Sequence, residues 1–177
     1  MSDKTLQVVA ITCMDSFYMR GMDIRPGKLQ EAFNLQLEEP RSVEDMATTA
    51  AEFFADSGRM VIPLVDVTGA GKALALALQV KGYDVFMFNP AALCEPAHDA
   101  QRFLNHQAKG GHLYNEGIMA GCITYVDDTA PQEVELNRNE SGQLQVRAKS
   151  GETRLSCMLG WFWHGRIQEL TTANWSF

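Results

Sequence analysis

The alternation of apolar runs with helical stripes constrains this chain most. Leu6–Thr12 (LQVVAIT), Met60–Val67 (MVIPLVDV) and Asp84–Phe88 (DVFMF) are short apolar runs rich in β-branched or aromatic residues, the pattern of buried strands. Between the first two lies Ser42–Ser57, where Val43, Met46, Ala47, Ala50, Phe53 and Phe54 recur at helical spacing. Ser42 and Asp45 stand in capping-box positions, and Gly58 ends the stripe. A second helix opens at Thr68-Gly69-Ala70-Gly71 and runs to about Lys81. Its ALALALQV is apolar nearly all round, so the helix must be covered on most sides. Parallel strands need helical crossovers, and short links leave little room for anything else. The expected fold class is therefore α/β: a mainly parallel β-sheet flanked by helices on both sides. Gln143–Ala148 alternates and adds a late antiparallel strand or hairpin across Glu140-Ser141-Gly142.

Other stretches are less ordered. Residues 17–41 read as irregular, with a turn at Arg25-Pro26-Gly27-Lys28. Pro63 is awkward inside a strand and points to an edge position or a bulge. Pro96–Ala108 is a further helix candidate ended by Lys109-Gly110-Gly111, Gly117–Val126 reads as a strand, and residues 127–142 as a polar surface excursion. The 177 residues show no internal repeat and no linker, so one domain over 1–177 is expected.

Chemistry gathers first at Cys13-Met14-Asp15-Ser16, at the end of the first strand. Side chains alternate along a strand, so Cys13 and Asp15 can face one cleft, and a thiolate with a carboxylate suits zinc. The run ITCMDS resembles the signature of the β-class carbonic anhydrases, and the resemblance extends to about residue 90. Pro26-Gly27, Asn34, the capped helix and the second strand fall in comparable places. It implies a β-carbonic anhydrase-like fold and a homodimer or higher homo-oligomer. It also implies a damaged zinc site. Cys13 and Asp15 match, but Phe17 stands where the family has Arg, Asp66 where it has the ligand His, and Gly69 where it has the second Cys. Arg20 or Arg25 is the available partner for Asp15. Zinc is possible with this incomplete set, and Asp66 suits a harder metal better. His98, after the third strand with Cys94, is the candidate replacement ligand, which gives a metal set of Cys13, Asp15, Asp66 and His98 with Asp15 and Asp66 as catalytic carboxylates. The resulting expectation is a divergent carbonic anhydrase homologue without ordinary hydratase activity, a pseudoenzyme acting by binding or assembly. The alternative is an atypical metal-dependent hydratase or hydrolase with a rebuilt site.

A third reading uses Thr68, Gly69 and Gly71. Free N–H groups at a helix N-terminus favour a small anion or nucleotide, and Thr68-Gly69-Ala70-Gly71-Lys72 partly echoes a phosphate loop. Ala73 replaces the Ser or Thr such a loop needs. Cys122 with His112 is a weaker nucleophile–base candidate, and His106 stands near the next helix end. Trp161, Trp163 and Trp175 fit either a core or a subunit interface.

Composition narrows the partners. A net charge of −7 argues against nucleic acid and anionic membranes. No apolar run spans a bilayer, and the start of the chain lacks a signal peptide's apolar core, so a cytoplasmic protein is expected. The scattered cysteines 13, 94, 122 and 157 read as thiols.

Overall fold

The computed structural model describes residues 5–38, 41–126, 132–148 and 150–164. Part of the polar excursion (127–131) and the aromatic end Trp175-Ser176-Phe177 lie outside the described residues. The elements in chain order are β1 (Leu6–Thr12), β2 (Phe17–Arg25), β3 (Lys28–Leu37), α1 (Val43–Asp56), β4 (Met60–Asp66), α2 (Gly71–Val80), β5 (Phe86–Phe88), α3 (Ala97–Arg102), α4 (His106–Met119), β6 (Ile123–Thr124), β7 (Leu136–Arg138), β8 (Leu144–Val146) and α5 (Gly151–Phe162).

Six strands form one sheet in the order β5-β4-β1-β2-β3-β6, and β7 pairs with β8 as a separate antiparallel hairpin. Within the sheet only β2 runs against the others. The α/β class, the mainly parallel sheet and the late hairpin are as expected. The two faces of β1 explain why its middle, Val8–Ile11, is apolar throughout. Val8 and Ala10 face a core with Tyr114, Leu155, Met158 and Phe162 of α4 and α5. Val9 and Ile11 face a second core with Met46, Phe54, Leu74 and Leu78 of α1 and α2. Each such fully buried aliphatic side chain contributes about 1.5–3 kcal/mol. Ser42 caps α1 by accepting from the Asp45 N–H at 3.1 Å. Pro63 is not on an edge strand, but β5 pairs only with Leu64–Asp66, so Pro63 has no partner on that side.

Three expectations are corrected. Residues 17–41 are not irregular: they hold β2 and β3, joined at the expected Pro26-Gly27 turn with Gly27 at φ 68°. Arg20, Gly21 and Asp23 break the apolar pattern of β2, yet all three are buried inside the sheet. Arg20 bonds the Tyr125 and Ser156 hydroxyls at 3.3 Å each. The Phe33 ring fills the space beside Gly21, 2.2 Å from where a Cβ would stand. Secondly, the helix after Pro96 is two helices, and α4 runs straight through Gly110-Gly111. These glycines are there for packing. A Cβ on Gly110 would lie 2.1 Å from the Cys157 carbonyl oxygen, and one on Gly160 would lie 2.1 Å from the Gly110 carbonyl oxygen. The backbones of α4 and α5 therefore touch, which only glycine permits. Thirdly, most of Gly117–Val126 is helix end and turn, with a strand of Ile123–Thr124 alone.

Candidate functional site

The chain leaves β1 toward β2 and β3 on one side, then returns through α1 to place β4 on the other side of β1. The direction of winding thus reverses between β1 and β4. In open α/β sheets the crevice beyond the carboxyl ends of the strands at such a reversal is where ligands sit. Thr12 ends β1 there, and Asp66 ends β4.

Asp66 is fully buried. Its Oδ2 accepts from the Thr12 hydroxyl at 2.8 Å and from Arg154 Nη1 at 2.9 Å. Its Oδ1 accepts from the Thr68 backbone N–H at 2.9 Å and the Thr68 hydroxyl at 2.8 Å. A carboxylate offers about four lone-pair positions, and four donors take them. Three elements supply the donors: the end of β1, the turn after β4, and α5, which crosses the sheet over β1 and β2. The turn itself is tight. Gly69 sits at φ 55°, and a Cβ on Gly71 would lie 1.7 Å from the Asp66 carbonyl oxygen. Any side chain at position 71 would push the strand end away.

Cys13 follows Thr12 at the same rim. Burial, and then the Asp66 charge, push its thiol up to about 12. At neutral pH it is a thiol, not a thiolate nucleophile.

The residues singled out from sequence fall as follows. Cys13 and Asp66 share the rim. Asp15 is exposed in the β1–β2 connection. His98 is on α3 with its side chain 78% exposed, facing Asp99 at 3.5 Å. Among the described residues no group of three or more His, Cys, Asp or Glu side chains gathers as a metal site. Arg20 and Arg25 do not serve Asp15: Arg20 lies in the sheet near Glu31, and Arg25 faces Asp23. In the Thr68–Lys72 turn the Thr68 N–H is spent on Asp66, and the Gly71 N–H on the Thr68 carbonyl at 2.9 Å. Cys94 is buried beside Phe103 and Ala108, and all four cysteines are free. His106 stacks near Trp161, and Trp161 also meets Phe88. His112 is held by Arg102 at 2.9 Å and Glu116 at 3.0 Å, while Cys122 Sγ lies 3.9 Å from its own turn's Ala120 carbonyl. A polar cavity of about 350 Å³ is lined by Arg20, Glu31, Tyr114, Tyr125, Glu152 and Ser156.

Sequence reading missed Thr12 and Arg154. The signal for α5 was present: Ser150 caps it by accepting from the Thr153 N–H at 3.1 Å, and Leu155, Met158, Leu159 and Phe162 keep helical spacing.

No family model and no curated protein matches the chain. Solved structures do. The nuclease domain of the large terminase subunit gp2 of bacterial virus Sf6, in a lysine-to-alanine variant with manganese, matches with a TM-score of 0.63 at 15% identity, over 89% of this chain and 88% of that one. The large terminase nuclease from thermophilic phage G20c matches at 0.58 and 15%, over 89% of this chain and 81% of that one. The fold is that of phage large-terminase nuclease domains. It is a ribonuclease H-like fold, and it overturns the carbonic anhydrase resemblance together with the functions drawn from it. A strand ending in Cys-x-Asp and a capped helix leading to a second strand are features that any parallel sheet can share. The antiparallel β2–β3 pair beside β1 is what the resemblance failed to anticipate.

Neighbouring terminase-nuclease structures hold manganese, calcium, cobalt or magnesium. The described residues do not fit such a centre. Hard divalent cations need several oxygen ligands, carboxylates above all. Among the described residues the crevice buries one carboxylate, with every lone pair engaged and an arginine against it.

Proposed function

We propose that this chain is a nuclease-like domain of the large-terminase type, with nucleic acid as its partner class and the β1–β4 crevice as the place of contact. One observation supports this most: a fully buried carboxylate, Asp66, at the winding reversal of a sheet whose solved relatives in shape are nucleases. Metal-dependent cleavage is not part of the reading, because the ligand set does not fit it. The net charge of −7 sets a condition on the contact. Binding to a polyanion must rest on local basic groups, such as exposed Lys72 in the first turn of α2, and must weaken steeply with salt.

The test is fluorescence polarisation with short labelled duplex and single-stranded DNA at low ionic strength, alongside a plasmid-nicking assay with Mn²⁺ or Mg²⁺. Salt-sensitive binding is expected, with no nicking above that of Asp66→Asn. Absence of binding to every nucleic acid tried at low salt overturns the reading. Nicking that Asp66→Asn abolishes replaces it with an active nuclease.

A further inference from the structure

Arg154 is the cationic side chain held against Asp66 in this crevice. It comes from a distant part of the chain, is 8% exposed, and aims Nη1 at Asp66 Oδ2 at 2.9 Å. Its Nη1 also lies 3.4 Å from the Thr68 hydroxyl. Its Nε is buried with no hydrogen-bond partner. A buried donor left unmatched is uncommon and costs free energy, so this guanidinium is placed by where its charge is needed.

We propose that Arg154 is a built-in replacement for a divalent cation at this crevice. The positive charge that a bound metal would supply to Asp66 is supplied by the chain itself, and the centre is therefore indifferent to divalent cations. The proposal rests on the Asp66 crevice proposed above as the contact site.

Three features argue for it. The Asp66 oxygens have no free lone pair for a metal. The guanidinium cannot simply step aside, because α5 is pinned to α4 by the Gly110–Gly160 backbone contact, and its neighbours Leu155, Met158 and Leu159 are fully buried. Moving a charge into such surroundings without a partner is costly. The remaining oxygens at the rim, Thr12 and Thr68 hydroxyls, are hard donors that would complete a cation shell if the guanidinium were exchanged for a carboxylate.

The experiment compares wild type, Arg154→Glu, Arg154→Gln and the Asp66→Asn/Arg154→Glu double variant. Thermal melting is followed with and without Mn²⁺, and bound Mn²⁺ is counted by electron paramagnetic resonance. The expected result is no Mn²⁺ uptake and no shift for wild type. Arg154→Glu melts lower without metal, takes up Mn²⁺ and recovers several degrees, and the double variant does not recover. A purely structural ion pair predicts loss of stability without any gain of cation binding. Folded Arg154→Glu that ignores Mn²⁺ overturns the proposal. So does wild type that binds Mn²⁺ stoichiometrically and loses it with Asp66→Asn. If Arg154→Glu does not fold, the wild-type count and the Arg154→Gln count decide, the latter expected to exceed the former. Nucleic-acid binding is scored on the same preparations: its absence sinks the functional reading and leaves the cation result standing, and the reverse holds equally.

Discussion

Two buried carboxylates stand out among the described residues, at opposite ends of β1, and they are held differently. Asp23 lies beside Gln7 at the start of β1 and Asp66 beside Thr12 at its end. Asp23 receives Arg59 through two parallel bonds, Nε to Oδ1 at 2.6 Å and Nη2 to Oδ2 at 2.9 Å, plus Gln7 at 2.9 Å. The Arg59 side chain is 34% exposed, so its remaining charge is solvated. That is a fork-on-fork clamp at a wet edge. Asp66 receives one guanidinium nitrogen and two threonines, with neither charged side chain more than 8% exposed, and leaves Arg154 Nε without a partner. The better-satisfied arginine belongs to the plain structural pair. The arginine with an unmatched nitrogen sits where this kind of sheet binds its ligands, as unmatched groups tend to do at functional sites.

The largest expected effect separates the two pairs by stability. Asp66→Ala leaves a charge buried and unpaired and should cost about 3–5 kcal/mol. Asp23→Ala should cost less, about 1–3 kcal/mol, because Arg59 can turn to water. Urea unfolding of both variants decides it, and equal losses would erase the contrast.

A second variant strikes the Asp66 end without touching its ligands. In Gly160→Ala the new methyl would meet the Gly110 carbonyl oxygen and the Tyr114 backbone nitrogen, so α5 must shift. Such overpacking costs about 1–3 kcal/mol. Because α5 carries Arg154, amide exchange at Thr68, whose N–H is held by Asp66, should quicken. The Asp23 end should stay protected. Uniform quickening across the sheet would mean the two ends are not independent.

How much of this was legible beforehand follows the same division. Strands β1 and β4 and helices α1 and α2 were readable because apolar period and capping act locally, whereas Asp66 was singled out only through the resemblance that the fold overturns. Strand β2 was not readable, because Arg20, Gly21 and Asp23 owe their burial to partners at Tyr125, Ser156, Phe33 and Arg59. Gly110-Gly111 hide the course of α4, because a glycine pair reads as a helix end while its role depends on a helix that comes 40 residues later in the chain, from Gly151 on. Arg154 was invisible as a site residue for the same reason: its meaning lies in the pairing with Asp66. A short motif that matched another family filled that gap wrongly.

Alkali should also distinguish the ends. Cys13, beside Asp66, and Cys157, under α4, are each raised from 9.0 to about 12, chiefly by burial. Above pH 9 the unfolded thiols lose their protons while the folded ones keep them. Stability from these groups is therefore full below about pH 9 and lost progressively toward pH 12. Cys13→Ala should flatten part of that fall in melting temperature. Asp66→Asn, by removing the second cause of the Cys13 shift, should speed its alkylation by iodoacetamide at pH 9. Unchanged alkylation would place the thiol out of reach of the Asp66 charge.

The smallest effect is the sharpest on solvent access. Added salt screens charges that water can reach and barely alters those it cannot. Coupling energies from double-mutant cycles, Asp23 with Arg59 and Asp66 with Arg154, isolate each pair from the rest of the fold. Moving from low to high NaCl should weaken the Asp23–Arg59 coupling by about 0.2–1 kcal/mol, the range of partly exposed pairs. The Asp66–Arg154 coupling should hold, since neither side chain is more than 8% exposed. If it falls as much as the other, ions and water enter the β1–β4 crevice freely. The guanidinium would then be one competitor among several for Asp66, and a divalent cation in solution would have a route to the same oxygen.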